Sequence, residues 1–326
     1  MKILYAASNN QNARIQLSRF LKAMDGSKHQ IKVAAFKKSS HRGLNIDWTL
    51  DALLNIYRPD LIALHSDNLP IYLEQVKDFA PDLIISDLEY FTSSVANELN
   101  IPLWQCSSSL INYALIRNEK YNLGLFKYHA HALNRDILHS QRMVNILDNS
   151  SRNFVYSHYG DMSEPPSLLD GFQWMRPYHQ IAKDYVPCQH YITSAFSVPD
   201  KRVMSFLKKY PDSVAFVDDP QERYQNVQIK DIRIVDEYYC NLKNSQFYVC
   251  QGQTSFLADA FYNGKFSFVF PDYEDAESIT NSQLAQKIGI GHIMTYTDDL
   301  LPSPPIEINP VYSESIKYLH EHIEEL

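Results

Sequence analysis

Apolar residues first cluster at Ile3–Ala7, a short run that predicts a buried strand. Ala13–Met24 switches to a helical period. Ile15, Leu17, Phe20, Leu21 and Met24 fall on one side, and Gly26 supplies a stop. The alternation continues, with strands predicted at Ile31–Phe36, Leu61–Leu64, Leu83–Ile85 and Ile101–Cys106. Helices are predicted at Trp48–Ile56, Leu69–Phe79 and Thr92–Leu99. Crossovers of this length bring successive strands parallel, so the pattern predicts an α/β, doubly wound sheet. Between 107 and 171 the rhythm breaks. Leu110–Leu115 and Ala130–Leu147 read as helices, and Pro165-Pro166 marks an irregular connection. A first domain is placed at 1–171.

The alternation then starts again. Strands are predicted at His190–Ala195, Val214–Val217, Val227–Ile229, Ile232–Ile234, Gln246–Cys250 and Phe266–Phe270. Helices are predicted at Pro199–Tyr210, Asp236–Asn244, Ser255–Tyr262 and Asn281–Ile288, the last two stopped by Gly264 and Gly289. This second domain is placed at 172–310. An amphipathic helix, Tyr312–Leu326, follows a proline-rich stretch and makes 311–326 a separate element. Two doubly wound domains commonly face each other across a cleft, with ligands at the carboxyl ends of the strands.

Composition sharpens this picture. At 326 residues two domains are expected, and 45% hydrophobic against 21% charged residues allows a packed core. Nine glycines are far fewer than the roughly 7% of average usage, which excludes flexible low-complexity architectures. A net charge of −8 argues against a chain that grips nucleic acid by neutralising phosphates. Cys106, Cys188, Cys240 and Cys250 lack C-x-x-C spacing and read as buried thiols in a reducing compartment. No window reaches the roughly 18 apolar residues of a membrane span, and Met1-Lys2 leads straight into a strand. The expectation is a soluble, cytoplasmic chain, with peripheral membrane contact left open. His129/His131 and His320/His322 lie two apart on predicted helices, about 200° around the axis. Neither pair chelates one metal from its own helix, and no metal site is expected.

The candidate chemistry gathers after one strand. Beyond Cys250 come Gln251-Gly252-Gln253-Thr254-Ser255 and then a helix. A helix start offers about four free N–H groups and partial positive charge, which suits a phosphate. Thr254 as a simple helix cap is the bland alternative. After the next strand an acidic loop, Pro271–Glu277, leads into Ser278-Ile279-Thr280-Asn281. Glu277 there suits sugar hydroxyls, or merely a helix dipole.

Cys250–Gly289 resembles the carboxy-terminal signature of GT-B glycosyltransferases. Among these it resembles the family 28 N-acetylglucosaminyl transferases that make peptidoglycan lipid II and the family 1 macrolide and plant glucosyl transferases. The matching positions are Gln251-Gly252-Gln253-Thr254, Asp259-Ala260, Asn263-Gly264-Lys265 and Glu277-Ser278 through Asn281. More weakly, Met1–Ala6, Pro81–Asp87 and Asn100-Ile101-Pro102 resemble the family's first-domain strands.

The resemblance implies two Rossmann-like domains, with the acceptor in the first and a nucleotide-diphosphate sugar, commonly a UDP-sugar, in the second. It implies an inverting, metal-independent hexosyl or N-acetylhexosaminyl transfer with no cofactor. Gly252, Gln253 and Thr254 would contact the pyrophosphate, and Glu277 and Ser278 the sugar or ribose, with Asn281 closing the same motif. Ser194 and Ser197 would complete the donor pocket. The final helix would cross back onto the first domain.

The first loop departs from the family. Where relatives carry glycines and a His base, this chain has Ser8–Arg14. Arg14 does not deprotonate at useful pH, so it is read as an acceptor or phosphate contact. Asp87, Glu89 and His65, at predicted strand ends, are the candidate bases, with helix capping the alternative for the carboxylates. A glycan, lipid, small molecule or nucleic-acid base all remain open as acceptor. Two rival functions stand beside transfer: a nucleotide-sugar epimerase, and a non-catalytic nucleotide-sugar-binding protein that has lost the base.

Overall fold

The computed structural model describes the chain except residues 9–10, 37–59, 65–68, 117–118, 120–123, 135–143, 180–190, 197–200, 218–226, 233–234, 296–307 and 309–312. The predicted helix Trp48–Ile56, His65, Cys188 and Ser197 lie outside the described residues.

The first sheet is built from β1 (Lys2–Ala6), β2 (Gln30–Phe36), β3 (Asp60–Leu64), β4 (Leu83–Ser86), β5 (Leu103–Ser107), β6 (Arg152–Tyr156) and β7 (Phe172–Met175). Its order is β3-β2-β1-β4-β5-β6-β7, with every neighbouring pair parallel. A parallel sheet is covered on both faces, so its strands need apolar residues on both. In β1, Ile3 and Tyr5 join one apolar cluster while Leu4 and Ala6 join another. The helices here are α1 (Gln11–Ala23), α2 (Leu69–Phe79), α3 (Tyr90–Leu99), α4 (Ile111–Ala114) and α5 (Phe126–Asn134), with a 3-10 turn at His158–Asp161.

The second sheet contains β8 (Ile192–Phe196), β9 (Ser213–Val217), β10 (Gln228–Asp231), β11 (Phe247–Cys250), β12 (Ser267–Val269) and β13 (Gly291–Ile293). Its order is β10-β9-β8-β11-β12-β13, again all parallel. Its helices are α6 (Lys201–Leu207), α7 (Val235–Asn244), α8 (Thr254–Tyr262) and α9 (Ala276–Lys287). Gly264 and Gly289 follow α8 and α9 with φ of +68° and +80°, the left-handed geometry that glycine adopts cheaply. The chain thus has two Rossmann-like units, as the hydrophobic pattern predicts.

The structure departs from the sequence reading at the boundary. The stretch 107–171 contributes β6, and β7 pairs with it, so the first sheet runs on to Met175 rather than stopping at 171. In β7 only Met175 is buried, so no apolar run announces the strand. Strand β10 covers most of the predicted strand Val227–Ile229 and runs on to Asp231, while residues 233–234 of the predicted strand Ile232–Ile234 lie outside the described residues; from 313 on, the predicted helix Tyr312–Leu326 is helical only over α10 (Leu319–Glu324). Leu319 and Ile323 of α10 pack with Ile3, Leu17 and Phe20 of the first unit.

The two units share a core. Leu110, Ile111, Ala114 and Tyr159 cluster with Phe256, Leu257 and Leu284 of the second unit. Among the described residues no helix is long and apolar enough to cross a membrane.

Candidate functional site

Parallel strands deliver their carboxyl ends to one edge of each sheet. Asp87 follows β4, Ser108 and Ser109 follow β5, Gly252 follows β11, and the acidic loop ahead of α9 follows β12. These four strand ends meet where the two units face each other.

On the second unit α8 and α9 lie in close contact. A Cβ at Gly252 would stand 2.2 Å from the Ser278 carbonyl oxygen and 2.5 Å from Ser282 Oγ. Gly252 therefore serves the approach of α9, and its N–H donates to Ser278 Oγ at 3.1 Å. The cap of α8 is Gln253, with no side-chain cap bond, so Thr254 is the first helical residue and not the cap. Thr254 N–H faces Glu277 Oε1 at 3.4 Å, and Thr254 Oγ1 accepts from Asn281 Nδ2 at 2.9 Å. Helix α9 begins at Ala276, capped by Asp275, whose carboxylate accepts from Glu277 N–H at 2.9 Å. Residues Glu277–Gln283 are mostly polar and all buried. No helical apolar stripe marks such a start, so the sequence places it five residues late.

The first unit closes on this surface. Glu277 Oε2 accepts from Ser109 Oγ at 2.6 Å and from Ser108 Oγ at 3.0 Å. Thr280 Oγ1 lies 2.8 Å from His129 Nε2 and 2.8 Å from the Asn112 side-chain amide. Tyr159 donates its hydroxyl proton to the Asn281 carbonyl at 2.8 Å. None of Ser108, Ser109, Asn112, His129 and Tyr159 stands out in the sequence as a site residue. The signal available for two of them is the Ser107-Ser108-Ser109 run directly after a strand.

Asp87 is 3% exposed, and its Oδ1 has no hydrogen-bond partner. Burial raises its pKa to about 7, opposed by the Ser107 hydroxyl and reinforced by the charge of Glu277. The next residue, Leu88, holds φ at +52°, a strained value for a branched side chain. That turn separates two carboxylates with different fates. Glu89 caps α3, accepting from Phe91 N–H at 2.9 Å and Thr92 N–H at 2.6 Å. Burial also raises Glu89, against those same bonds.

Ser194 and Arg14 belong to regular elements of the two units. Ser194 lies inside β8 rather than in the loop beyond it. Its hydroxyl donates to the Val214 carbonyl of the neighbouring strand β9 at 3.1 Å. Arg14 lies within α1. Asp259 of α8 faces Arg19 of α1 at 3.4 Å and accepts from Tyr239 Oη at 2.8 Å. It joins the two units rather than the strand-end cleft.

No model of a known protein family matches the sequence, and no curated protein matches it. Solved structures do. The spinosyn rhamnosyltransferase SpnG matches with a TM-score of 0.59 at 11% identity, over 90% of this chain and 86% of that one. The structure of LpCGTa in complex with UDP matches at 0.60 and 11% identity, over 90% and 84%. The Streptomyces sp. SF2575 glycosyltransferase SsfS6, complexed with thymidine diphosphate, matches at 0.57 and 13%, over 90% and 87%. At such identities the likeness is one of fold: this chain has the GT-B architecture of these glycosyltransferases, across both domains.

Proposed function

We propose that the chain is a glycosyltransferase that moves a sugar from a nucleotide-diphosphate sugar to a hydroxyl-bearing acceptor. One observation carries the reading. The amino terminus of α8 in the second unit and a buried, partly unpartnered carboxylate, Asp87, in the first are drawn to the same junction of strand ends. The first is suited to a leaving diphosphate and the second to a proton. The donor side consists of Gln253, Thr254, Ser278 and Asn281, with Gly252 setting the spacing of α8 and α9. The helix dipole and its N–H groups stabilise the departing diphosphate without a metal in this reading.

Asp87 is the general base. It accepts the acceptor hydroxyl proton as the oxygen attacks the anomeric carbon, and the bond from that carbon to the diphosphate breaks. Inversion follows from attack opposite the leaving group. Structural neighbours carry UDP or thymidine diphosphate, which makes these the first nucleotides to try.

The test is a thermal-shift series over nucleoside diphosphates and their sugars, followed by mass analysis of the products. A bound donor raises the midpoint with the logarithm of its concentration over Kd. Slow donor hydrolysis or transfer supports the reading. An altered sugar with no acceptor would make the chain an epimerase, and tight binding without turnover a binding protein.

A further inference from the structure

We infer that Glu277 is an internal stand-in for the donor diphosphate: its carboxylate, held by Ser108 and Ser109, occupies the α8 amino terminus and must leave when a nucleotide binds. The inference rests on the donor-site reading above and adds a competition between Glu277 and the nucleotide for that site.

Three observations support it. A carboxylate and a phosphate make the same demand on a helix start, an anionic oxygen facing N–H groups. Glu277 meets one such N–H, with Oε1 3.4 Å from Thr254 N, while the residue is only 4% exposed. Its second oxygen is gripped by the first unit through Ser109 at 2.6 Å and Ser108 at 3.0 Å. One carboxylate thus ties the anion site of one domain to a strand end of the other. Next to it, Asn281 is wholly buried and hydrogen-bonded to Thr254 through Nδ2, yet its Oδ1 has no partner. That leftover acceptor marks a place a larger ligand, bearing hydroxyls as well as charge, satisfies better than a carboxylate does.

Two anions do not share this spot. Asp87 and Asp275 are also close, and both are pushed up to about 7 by burial, with the Glu277 charge adding to it. A dianionic diphosphate placed beside an unmoved Glu277 meets repulsion in a water-poor setting. Withdrawal of Glu277 removes that repulsion and breaks both serine contacts, while the contacts of His129, Asn112 and Tyr159 to α9 stay in place.

The experiment is calorimetric titration with UDP and with thymidine diphosphate. The proteins are the native chain, Glu277→Gln, and the double variant Ser108→Ala/Ser109→Ala, each checked for a native melting transition. The double variant leaves Glu277 in place and loosens its seat. It should bind the preferred nucleotide about tenfold more tightly, because less competing interaction is lost on binding. Glu277→Gln should also bind more tightly, since the amide is a weaker occupant. Equal affinities in all three proteins overturn the stand-in role and leave the donor site intact. So does weaker binding by Glu277→Gln with the double variant unchanged, which makes Glu277 an ordinary donor contact. Absence of binding by all three up to millimolar nucleotide overturns the donor-site reading itself.

Discussion

Asp87 and Glu89 are two residues apart, and both are buried carboxylates at the end of β4, yet the backbone gives them different work. Leu88, in its left-handed turn, sends Glu89 to the start of α3 and leaves Asp87 with an unpartnered oxygen. A base that titrates near 7 is useful only when ionised. Transfer should therefore fall about tenfold per pH unit below about 7 and level off above it. Asp87→Asn should cut transfer by about 100-fold or more and flatten the pH profile of what remains; an undiminished pH–rate profile in that variant removes Asp87 from the reaction. The sign for stability is opposite. The folded pKa lies above the unfolded value near 3.8, so the contribution of Asp87 is fully present below about 4 and is lost as pH rises through about 7. Asp87→Asn should accordingly melt higher than the native protein at pH 8, a gain at the expense of function. Glu89→Ala should do the reverse. It should cost about 1–2 kcal/mol by urea denaturation through the lost cap, with the pH dependence of the rate unchanged. Both carboxylates are visible in the sequence as strand-end candidates. What separates them is one φ angle, which a sequence does not display.

Helices α8 and α9 show the same limit one level up. The strand, glycine, hydroxyl and helix order after Cys250 is legible, and so is the GT-B pattern it resembles. The reason for the glycine is not. Gly252 is needed for contact with Ser278 and Ser282 of the next helix, 26 and 30 residues on. Gly252→Ala should force α9 away from α8 and cost roughly 1–3 kcal/mol, with nucleotide affinity falling alongside. Chemical denaturation and titration on the same variant check both, and retained stability with retained affinity would show that α9 is not seated by this glycine. The start of α9 escapes sequence reading because Glu277–Gln283, apart from Ile279, are polar residues buried by partners outside their own segment. Ser108, Ser109, Asn112 and His129 supply those partners from the other domain. Periodicity reports a helix that buries an apolar face, and this one buries hydrogen bonds. Strand β7 is missed for the converse reason, since three of its four residues remain at least partly exposed.

Across the whole molecule, α8 belongs to one domain and is fastened to both. Its Asp259 faces Arg19 of α1, and its Tyr262 donates to Asp161 Oδ2 at 2.6 Å. Asp161, only 1% exposed, also takes Arg176 Nε at 2.8 Å and Nη2 at 2.6 Å, while Ser313 N–H lies 3.3 Å from its other oxygen. Four stretches of chain therefore converge on one buried carboxylate: the 3-10 turn, the residue after β7, the end of α8 and the returning carboxy-terminal segment. The Glu277–serine contact lies at the opposite end of α8. The Asp161 and Asp259 contacts thus tie the two units at one end of α8, and the Glu277–serine contacts tie them at the other. The Arg176 charge is what makes a buried Asp161 tolerable, since removal of one partner strands the other in a poor dielectric. Arg176→Met should cost about 3–5 kcal/mol in equilibrium unfolding. Asp161→Leu in the same chain should then cost less than the two single changes added together, because the second substitution removes the stranded charge. Strict additivity would mean that the guanidinium and the carboxylate do not act as a pair, and the tie at this end of α8 would rest on Arg19 and Asp259 instead.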